Sequence, residues 1–387
     1  MFLTAPFISD FCHRFPSCCY STKFKKDCCV IRKRRFSGFN IFAPSVLERS
    51  VLRTSSSRDD LFCYRPKSCF PVMSASESAS DTKFGFIALL GKTNSGKSTL
   101  LNALVETKVA IVTPRVQTTR SKIVGVFTQG NSQLAFMDTP GIFTPKRRLE
   151  RAMIDVAKKA RQEADLIVLV VDVSKVPCFG ADVFDETTME IAKLCSQRKA
   201  GSELLLCLNK IDLVSDSQLK QVEASVIAGL RLSFGEIFRV SALTGQGVRE
   251  MRDGLIPFLP KGPWLFESDD MTSMPMRSYA AEITREKLML KLREELPYAI
   301  AVETVDWKDK EDGSIRILQH IFVERESQKA IILGRGGQNL KQFGMEARQE
   351  LAQVFGKPVH LFLQVKVRKD WSEDVDYYKS WGLRYRI

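Results

Sequence analysis

The sequence has no long apolar run and few cysteines beyond its first 70 residues. No run reaches the roughly 18 apolar residues that a helix needs to cross a membrane. We therefore expect no transmembrane segment and leave only peripheral membrane association open. Seven of the ten cysteines lie before residue 70, and none of their spacings is the C-x₂-C of a zinc site. The other three show no disulfide pattern and are expected to be reduced: Cys178, Cys195 and Cys207.

Acidic residues are scarce in the first 80 residues. This stretch holds 13 of the 58 Lys and Arg but only 6 of the 45 Asp and Glu, so about +6 of the formal charge of +13 belongs to the rest of the chain. A serine-rich, basic stretch without apolar periodicity is typical of an organelle transit peptide. We predict that residues 1–80 are such a leader, with a basic disordered RNA-binding arm as the alternative. A secretion signal is disfavoured because no clean apolar core precedes a small-residue cleavage site.

A glycine-rich turn follows the first strand-like run after the leader. Residues 84–90 are apolar and of strand length, residues 99–105 read as the start of a helix, and the turn between them matches G-x-x-x-x-G-K-[ST]. This arrangement aims backbone N–H groups at phosphate oxygens. Lys97 should reach the β- and γ-phosphates, and the Ser98 hydroxyl should bind Mg²⁺. We predict nucleotide contacts throughout this phosphate loop: Gly91, Lys92, Thr93, Asn94, Ser95, Gly96, Lys97, Ser98 and Thr99.

The D-T-P-G motif after the apolar run 134–137 fits a γ-phosphate contact. The Asp138 carboxylate can hold the Mg²⁺ shell from the side opposite Ser98, and the Gly141 N–H can approach the γ-phosphate closely. Asp, Pro and Gly also favour ordinary turns, so the motif is informative through its position after the phosphate loop. Nucleotide contacts are predicted for all four residues: Asp138, Thr139, Pro140 and Gly141.

Two later motifs select the base. N-K-I-D follows the apolar run 204–208, and the Asp212 carboxylate suits the N1–H and exocyclic amine of guanine, a pair that adenine lacks. S-A-L follows the short strand 237–240, where the Ala242 N–H can meet guanine O6. A P-loop ATP-dependent kinase or helicase is therefore disfavoured. Base contacts are predicted at Asn209, Lys210, Asp212, Ser241, Ala242 and Leu243.

A polar loop with several hydroxyl groups, T-P-R-V-Q-T-T-R at residues 113–120, lies between the first helix and the next strand. We call it the sensor loop. One of its threonines, Thr118 or Thr119, can complete the Mg²⁺ coordination, so that the loop is ordered with GTP and loose with GDP. The five motifs in this order predict a P-loop GTPase domain of the translation-factor type. Its fold class is α/β, with a mostly parallel sheet and helices on both faces.

A second pattern begins after a Pro-rich linker. The sequence predicts a helix at 277–296, strands at 299–305 and 315–323, a G-x-x-G loop between two helices, and a strand at 359–367. This is the element order of a type II KH RNA-binding domain, whose glycines let the loop press against the RNA backbone. A lone G-x-x-G is usually a helix cap, so the element order carries the prediction. RNA contacts are predicted at Gly334, Arg335, Gly336, Gly337, Lys366 and Arg368.

The 387 residues are enough for two or three domains. We predict a leader at 1–80, a GTPase domain at 81–258, a linker across the surface at 259–277 and a type II KH domain, of α+β class, at 278–387. Trp371, just after the last strand, can stack on a base, although core packing is the more common role of an aromatic residue at such a junction.

From residue 83 onwards the sequence resembles the Era family of GTPases. The most specific signs are Q-T-T-R at 117–120, D-T-P-G-I at 138–142 and the KH pattern, while residues 145–153 and 281–287 are similar to the alphaproteobacterial branch. The resemblance implies GTP and GDP as ligands, Mg²⁺ as cofactor and a monomer. It also implies binding to the 3′ end region of small-subunit ribosomal RNA during subunit assembly. Its alphaproteobacterial character favours a mitochondrial location, with the plastid as the alternative.

The resemblance also suggests how GTP is hydrolysed. It favours Thr119 over Thr118, because in related GTPases the sensing Thr directly precedes Arg, and it assigns catalytic roles to Lys97, Thr119 and Gly141. Ile142 occupies the place where Ras-like GTPases have a water-orienting Gln, so a K⁺ ion held by Asn94 is expected to supply the missing charge. The family usually has Pro and a small apolar residue at the positions of Thr93 and Ser95, so nucleotide exchange rates are expected to differ. The alternative function is a KH RNA chaperone that binds GTP and hydrolyses it little.

Overall fold

The computed structural model describes residues 81–145, 147–176 and 184–385. The predicted leader at 1–80 and Cys178 lie outside the described residues. Within them the chain forms a six-stranded sheet followed by a three-stranded sheet. No described helix has both the length and the apolar character that crossing a bilayer requires.

The six-stranded sheet has the order β2-β3-β1-β4-β5-β6, and only the β2–β3 pair is antiparallel. Its central strands are buried along nearly their whole length, which is why they read as continuous apolar runs. The strands are β1 Lys83–Leu90, β2 Ile123–Gln129, β3 Ser132–Asp138, β4 Leu166–Asp172, β5 Glu203–Asn209 and β6 Ile237–Val240.

Helices cover both faces of this sheet, as the predicted fold class requires. Alternate residues of β1 face opposite sides: Ile87 and Leu89 pack in one hydrophobic cluster, and Ala88 and Leu90 pack in another. Because β1, β3, β5 and β6 run parallel, the loops that follow them meet at one edge of the sheet. The helices are α1 Lys97–Val105, α2 Arg148–Glu163, α3 Glu186–Ser196, α4 Asp216–Leu230 and α5 Val248–Leu255.

The second domain has the predicted type II KH order. Its sheet runs β7-β8-β9, with β7–β8 antiparallel and β8–β9 parallel. The first helix ends at Lys291 and not at residue 296, because Leu292 turns to an extended backbone. The elements are α6 Met276–Lys291, β7 Ala301–Asp309, β8 Ile315–Val323, α7 Glu326–Leu333, α8 Gln338–Phe355 and β9 Val359–Val367, followed by the short helix α9 Val375–Ser380.

The predicted surface linker takes part in the fold. The N–H of Val126 donates to the Met271 carbonyl (2.8 Å), and the Thr272 hydroxyl donates to the Val124 carbonyl (2.7 Å). Met271 and Thr272 are both buried. The linker therefore covers the free edge of β2, an edge that would otherwise expose unpaired backbone groups.

The two domains share one hydrophobic cluster. Tyr279 of α6 and Leu351 of α8 belong to the same cluster as Val109 and Ile111, which lie just before the sensor loop. The Tyr279 hydroxyl also donates to the Lys108 carbonyl (2.8 Å). The segment leading into the sensor loop is thus packed directly against the KH domain.

Candidate functional site

The phosphate loop turns sharply between β1 and α1. Gly96 precedes α1 with a φ of 91°, and a Cβ on it would collide with the side-chain amide of Asn209. The D-T-P-G loop lies directly against the phosphate loop, since a Cβ on Gly141 would lie 2.7 Å from the Thr93 backbone. Glycine is needed at both positions because atoms of Asn209 and Thr93 occupy the space that a side chain would need.

Three of the predicted Mg²⁺ ligands come together. Ser98 Oγ donates to Asp138 Oδ2 (2.6 Å), and it lies 2.9 Å from Thr119 Oγ1. Thr119 Oγ1 also donates to Asp138 Oδ2 (3.2 Å). The second carboxylate oxygen of Asp138 is buried without a hydrogen-bond partner among the described atoms, and burial raises the pKa of this carboxyl. A set of two hydroxyls and a carboxylate with one unused buried oxygen fits Mg²⁺.

The geometry favours Thr119 over Thr118 as the sensing threonine. The Thr118 hydroxyl lies 2.6 Å from the Thr113 hydroxyl and donates to the Arg115 carbonyl (2.9 Å), so it is used within the sensor loop. Thr119 is the threonine beside Ser98 and Asp138.

The Lys97 ammonium lies inside the phosphate loop and donates hydrogen bonds to two of its carbonyl groups. Its Nζ donates to the carbonyls of Gly91 (3.2 Å) and Lys92 (2.8 Å). Burial lowers the pKa of Lys97 to about 8, opposed by the nearby Asp138 carboxylate. The side chain therefore remains mostly protonated at neutral pH, as a phosphate ligand must be.

The residue after the D-T-P-G motif offers no polar group to water. Ile142 is 1% exposed, and its N–H donates to the Gly91 carbonyl (3.2 Å). Its side chain lies in the apolar cluster of one sheet face. Orientation of an attacking water must therefore come from other groups.

Asn209 connects the motifs predicted to bind the base with the phosphate loop. Its amide nitrogen donates to the Ser95 carbonyl (2.9 Å), and its amide oxygen accepts from the N–H groups of Lys210 (2.8 Å) and Ala242 (3.0 Å). The side chain thus positions the loops around the nucleotide. Asp212 is exposed beside it, and Leu243 is 82% exposed, so both are accessible to a base.

One positioning residue was not predicted. Asp172, at the end of β4, forms an ion pair with Lys210 (2.5 Å), whose ammonium also donates to the Asn94 carbonyl (2.9 Å). A carboxylate directly after an apolar strand was the available signal, the same one that identified Asp138.

The sensor loop is clamped to the KH domain by three arginines. Arg120 is buried and donates to the carbonyls of Ile300 (2.7 Å) and Tyr298 (3.0 Å). Arg115 donates to the Met289 carbonyl (2.5 Å), and Arg285 of α6 donates to the Thr118 carbonyl (2.7 Å). These contacts join residues more than 160 positions apart, which is why sequence reasoning gave none of them a role.

Aromatic residues after β9 complete this clamp. The Arg120 guanidinium lies 5.8 Å and 5.6 Å from the ring centroids of Trp371 and Trp381. Trp371 is 1% exposed and its indole N–H donates to the Ala299 carbonyl (3.1 Å), so it packs in the core and does not present a face to a base. Burial lowers the pKa of Arg120 to about 9, with the nearby Arg285 as the next cause.

The G-x-x-G loop is open to solvent. Gly336 and Gly337 have φ values of 57° and 77°, and no atom of the described residues lies within 4 Å of a Cβ built on either. Arg335 between the helices is exposed. The loop therefore leaves room for a sugar-phosphate backbone to approach.

The two predicted basic contacts on β9 have different surroundings. Lys366 is exposed on the side of the sheet that faces away from the helices. Arg368 forms an ion pair with Asp374, and its guanidinium lies 5.4 Å from the Tyr377 ring centroid. Arg368 thus holds the C-terminal segment.

Comparisons with known proteins agree with this geometry. Residues 86–210 match the family model "50S ribosome-binding GTPase", and residues 295–372 match the model "KH domain". The chain is 45% identical over 315 residues to the GTPase Era of Agrobacterium fabrum, covering 81% of this chain and 96% of that protein. It is 47% identical over 304 residues to the GTPase Era of a Bradyrhizobium species, covering 79% and 95%.

Two solved structures are similar over nearly their whole length. One is Era in complex with MgGDPNP and nucleotides 1506–1542 of 16S ribosomal RNA, with a TM-score of 0.72, 36% identity, and coverage of 78% of this chain and 99% of that one. The other is a single-residue variant of Aquifex aeolicus Era bound to GDP·AlF4⁻, with a TM-score of 0.71, 35% identity and the same coverage.

The base pocket can be tested with Asp212→Asn. The change replaces one of two acceptors with a donor facing the guanine amine, so GTP affinity should fall about ten- to a hundredfold. Binding of xanthosine triphosphate, which has a carbonyl in place of that amine, should rise. Titration of labelled nucleotides measures both, with the exposed Asp216→Asn in α4 as the matched control. Unchanged GTP binding with ATP still excluded would contradict the assignment of this pocket.

Proposed function

Since this chain belongs to the Era family of GTPases, we propose that it acts in the assembly of the small ribosomal subunit by engaging the 3′ end region of small-subunit ribosomal RNA. Its GTPase activity and its KH domain are family properties. The RNA target is supported by the similar Era structure that holds nucleotides 1506–1542 of 16S ribosomal RNA and by the open G-x-x-G loop.

One observation supports coupling between the two activities. Thr119, next to the predicted Mg²⁺ ligands, is followed directly by Arg120, whose guanidinium is held by KH carbonyls. Beyond the D-T-P-G loop, Arg148 at the start of α2 pairs with Glu373 after β9 (2.7 Å). GTP binding orders both loops and thereby shifts how the KH domain presents its RNA groove, which we place between the G-x-x-G loop, α8 and the edge strand β9. GTP thus times RNA engagement, and no chemistry is performed on the RNA.

Hydrolysis requires charge stabilisation around the γ-phosphate. Ser98, Thr119 and Asp138 would hold Mg²⁺, which neutralises charge on the β- and γ-phosphate oxygens when it is bound. Lys97 brings a second positive charge to the same oxygens, and the Gly141 N–H can approach because no Cβ intervenes. Positioning and electrostatics, and not covalent catalysis, are therefore the protein's contribution.

A monovalent cation at Asn94 is part of the proposal. Asn94 adopts a φ of 62°, and its side-chain amide nitrogen donates to the Pro114 carbonyl of the sensor loop (3.0 Å). The side chain therefore lies where phosphate loop and sensor loop meet. Amide and backbone carbonyl oxygens are the ligands that suit K⁺, and Ile142 leaves the hydrolytic site without a polar side chain at its own position.

We expect faster GTP hydrolysis in K⁺ than in Na⁺ at equal ionic strength. Asn94→Ala should abolish this difference while GDP binding is preserved, because the change removes the side-chain cation ligand and leaves the backbone N–H groups of the phosphate loop in place. Steady-state turnover and GDP titration in both salts measure the two effects. Equal wild-type rates in K⁺ and Na⁺ would instead assign the missing charge to another protein group or to RNA.

RNA binding through the G-x-x-G loop can be tested with Arg335→Asp combined with Gly336→Asp. The new carboxylates would face the phosphate backbone, so binding of a labelled single strand from the small-subunit 3′ end should be lost, most clearly at low salt. GTP turnover should remain, because none of the predicted nucleotide-binding residues belongs to this loop.

The matched control is Lys199→Asp with Gly201→Asp. It makes the same charge change at an exposed loop of the GTPase domain, where Gly201 also has a positive φ (86°) and open space around it. If the G-x-x-G variant binds RNA as well as this control does, the RNA uses another surface.

We also propose a mitochondrial location, with the plastid as the alternative, because residues 1–80 are basic and poor in acidic residues. We further propose a monomeric state, because apolar faces of both domains are buried in one shared cluster within a single chain. Peripheral membrane association stays a prediction. A fluorescent fusion of residues 1–80 should enter mitochondria, while a fusion of residues 81–387 should not. Cytosolic fluorescence of the first fusion would contradict both destinations, and sedimentation above the mass of one chain would contradict the monomer.

A further inference from the structure

One face of the KH sheet is left open by α6, α7 and α8 and is covered only at one end among the described residues, where the buried Phe322 packs against Tyr377 of α9 (ring centroids 5.7 Å). Residues of β8 that point towards the helices are buried, such as Ile317, Gln319 and Ile321, and Gln319 accepts a hydrogen bond from Thr284 of α6 (2.6 Å). The alternate residues point the other way. We call these the outer face: Arg316, Leu318, His320 and Phe322 on β8, and His360, Phe362, Gln364 and Lys366 on β9.

An exposed aromatic ring lies in the middle of this face. Phe362 is 49% exposed, although the alternate positions of the same strand face the helices and are the usual place for an apolar side chain. The Arg316 guanidinium lies 5.2 Å from its ring centroid, and Asp306 of β7 holds that guanidinium in place (2.8 Å). A half-exposed ring supported by an arginine is a platform on which a nucleobase can stack.

The charged groups of the outer face favour an anionic ligand. The outer-face residues of β8 and β9 include no carboxylate, and two of them are cations, Arg316 and Lys366. The acidic side chains of the sheet that lie nearest, Glu303 and Asp306, are on β7, and Asp306 is paired with Arg316. The positive side of the face is therefore the β9 side, away from β7.

The outer face adjoins the KH groove through one strand. β9 is the edge strand of the sheet, and its other row of side chains, which includes Leu363 and Val365, is half-buried under α8. A chain leaving the groove needs to pass only this single strand to reach Phe362. From His360 to Lys366 the outer row extends about 20 Å, enough for several nucleotides.

We propose that the outer face is a second contact surface for single-stranded RNA, continuous with the strand held in the KH groove. One base stacks on Phe362, and phosphates lie along Lys366. Arg368 takes no part because Asp374 occupies it. A protein partner fits less well, since the outer face offers one large exposed apolar side chain among charged and hydrogen-bonding groups. The inference rests on the RNA binding in the proposed function and adds a site to it.

RNAs of two lengths distinguish binding at the outer face from binding in the KH groove. The short RNA has about four nucleotides, the number a G-x-x-G loop clamps, and the long RNA extends it on both sides. Phe362→Ala should weaken the long RNA about fivefold or more, as loss of a stacked base does, and leave the short RNA unchanged. Lys366→Glu should weaken the long RNA further at low salt than at high salt.

The matched controls lie on the far strand β7. Val305→Ala truncates an apolar side chain of similar exposure (42%), and Lys308→Glu makes the same charge change as Lys366→Glu. Both should bind the long RNA as wild type does. GTP turnover and thermal unfolding establish that each variant is folded.

Other outcomes overturn the inference in distinct ways. If Phe362→Ala binds the long RNA as tightly as wild type does, no base stacks on Phe362. Equal weakening of both RNAs means that Phe362 acts through the groove or the fold. A loss seen only with intact small subunits and not with naked RNA points to a protein partner. If wild type binds neither RNA, the proposed function fails, and this inference fails with it.

Discussion

The buried guanidinium of Arg120 constrains how the two domains fit together. A charge removed from water is tolerated only where hydrogen-bond acceptors surround it, and here these are carbonyls at residues 298 and 300 of the KH domain. Two tryptophan rings from the C-terminal segment enclose the same group. The end of the sensor loop therefore cannot leave the KH domain without exposing or orphaning a charged group.

This constraint connects the nucleotide site physically to the KH domain. Thr119 belongs to the cluster of Ser98 and Asp138, and its neighbour Arg120 belongs to the KH interface. Arg285 and Glu286 of α6 hold two further points of the same segment through backbone contacts with Thr118 and Val112. In the proposed coupling, a ligand that drew Thr119 towards a metal ion would also move the contacts with α6, and the effect would act in both directions.

The motifs were predictable because each is short and local. Spacing, the flanking strand and helix, and the order of the later motifs identified the phosphate loop. The structure shows why glycine is needed at Gly96 in this loop and at Gly141 in the D-T-P-G motif, because other residues approach both closely. Alternation predicted Lys366 and Arg368 on one face, although β9 ends at Val367, one residue before Arg368. It could not reveal that Asp374 would engage Arg368. The clamp at Arg120, the linker paired with β2 and the ion pair of Asp172 with Lys210 were missed, because each depends on contacts between distant parts of the chain.

The most direct measurement of coupling is RNA affinity with a non-hydrolysable GTP analogue and with GDP, in wild type and in Arg120→Leu. We expect the two wild-type affinities to differ by about fivefold or more, a common strength of coupling between sites, and the ratio to approach one in the variant. Arg252→Leu serves as control, because Arg252 is a buried arginine whose contacts with Leu104, Glu106 and Phe127 all lie inside the GTPase domain. If Arg120→Leu is folded, binds both ligands and retains the wild-type ratio, the sensor-loop clamp does not connect nucleotide and RNA.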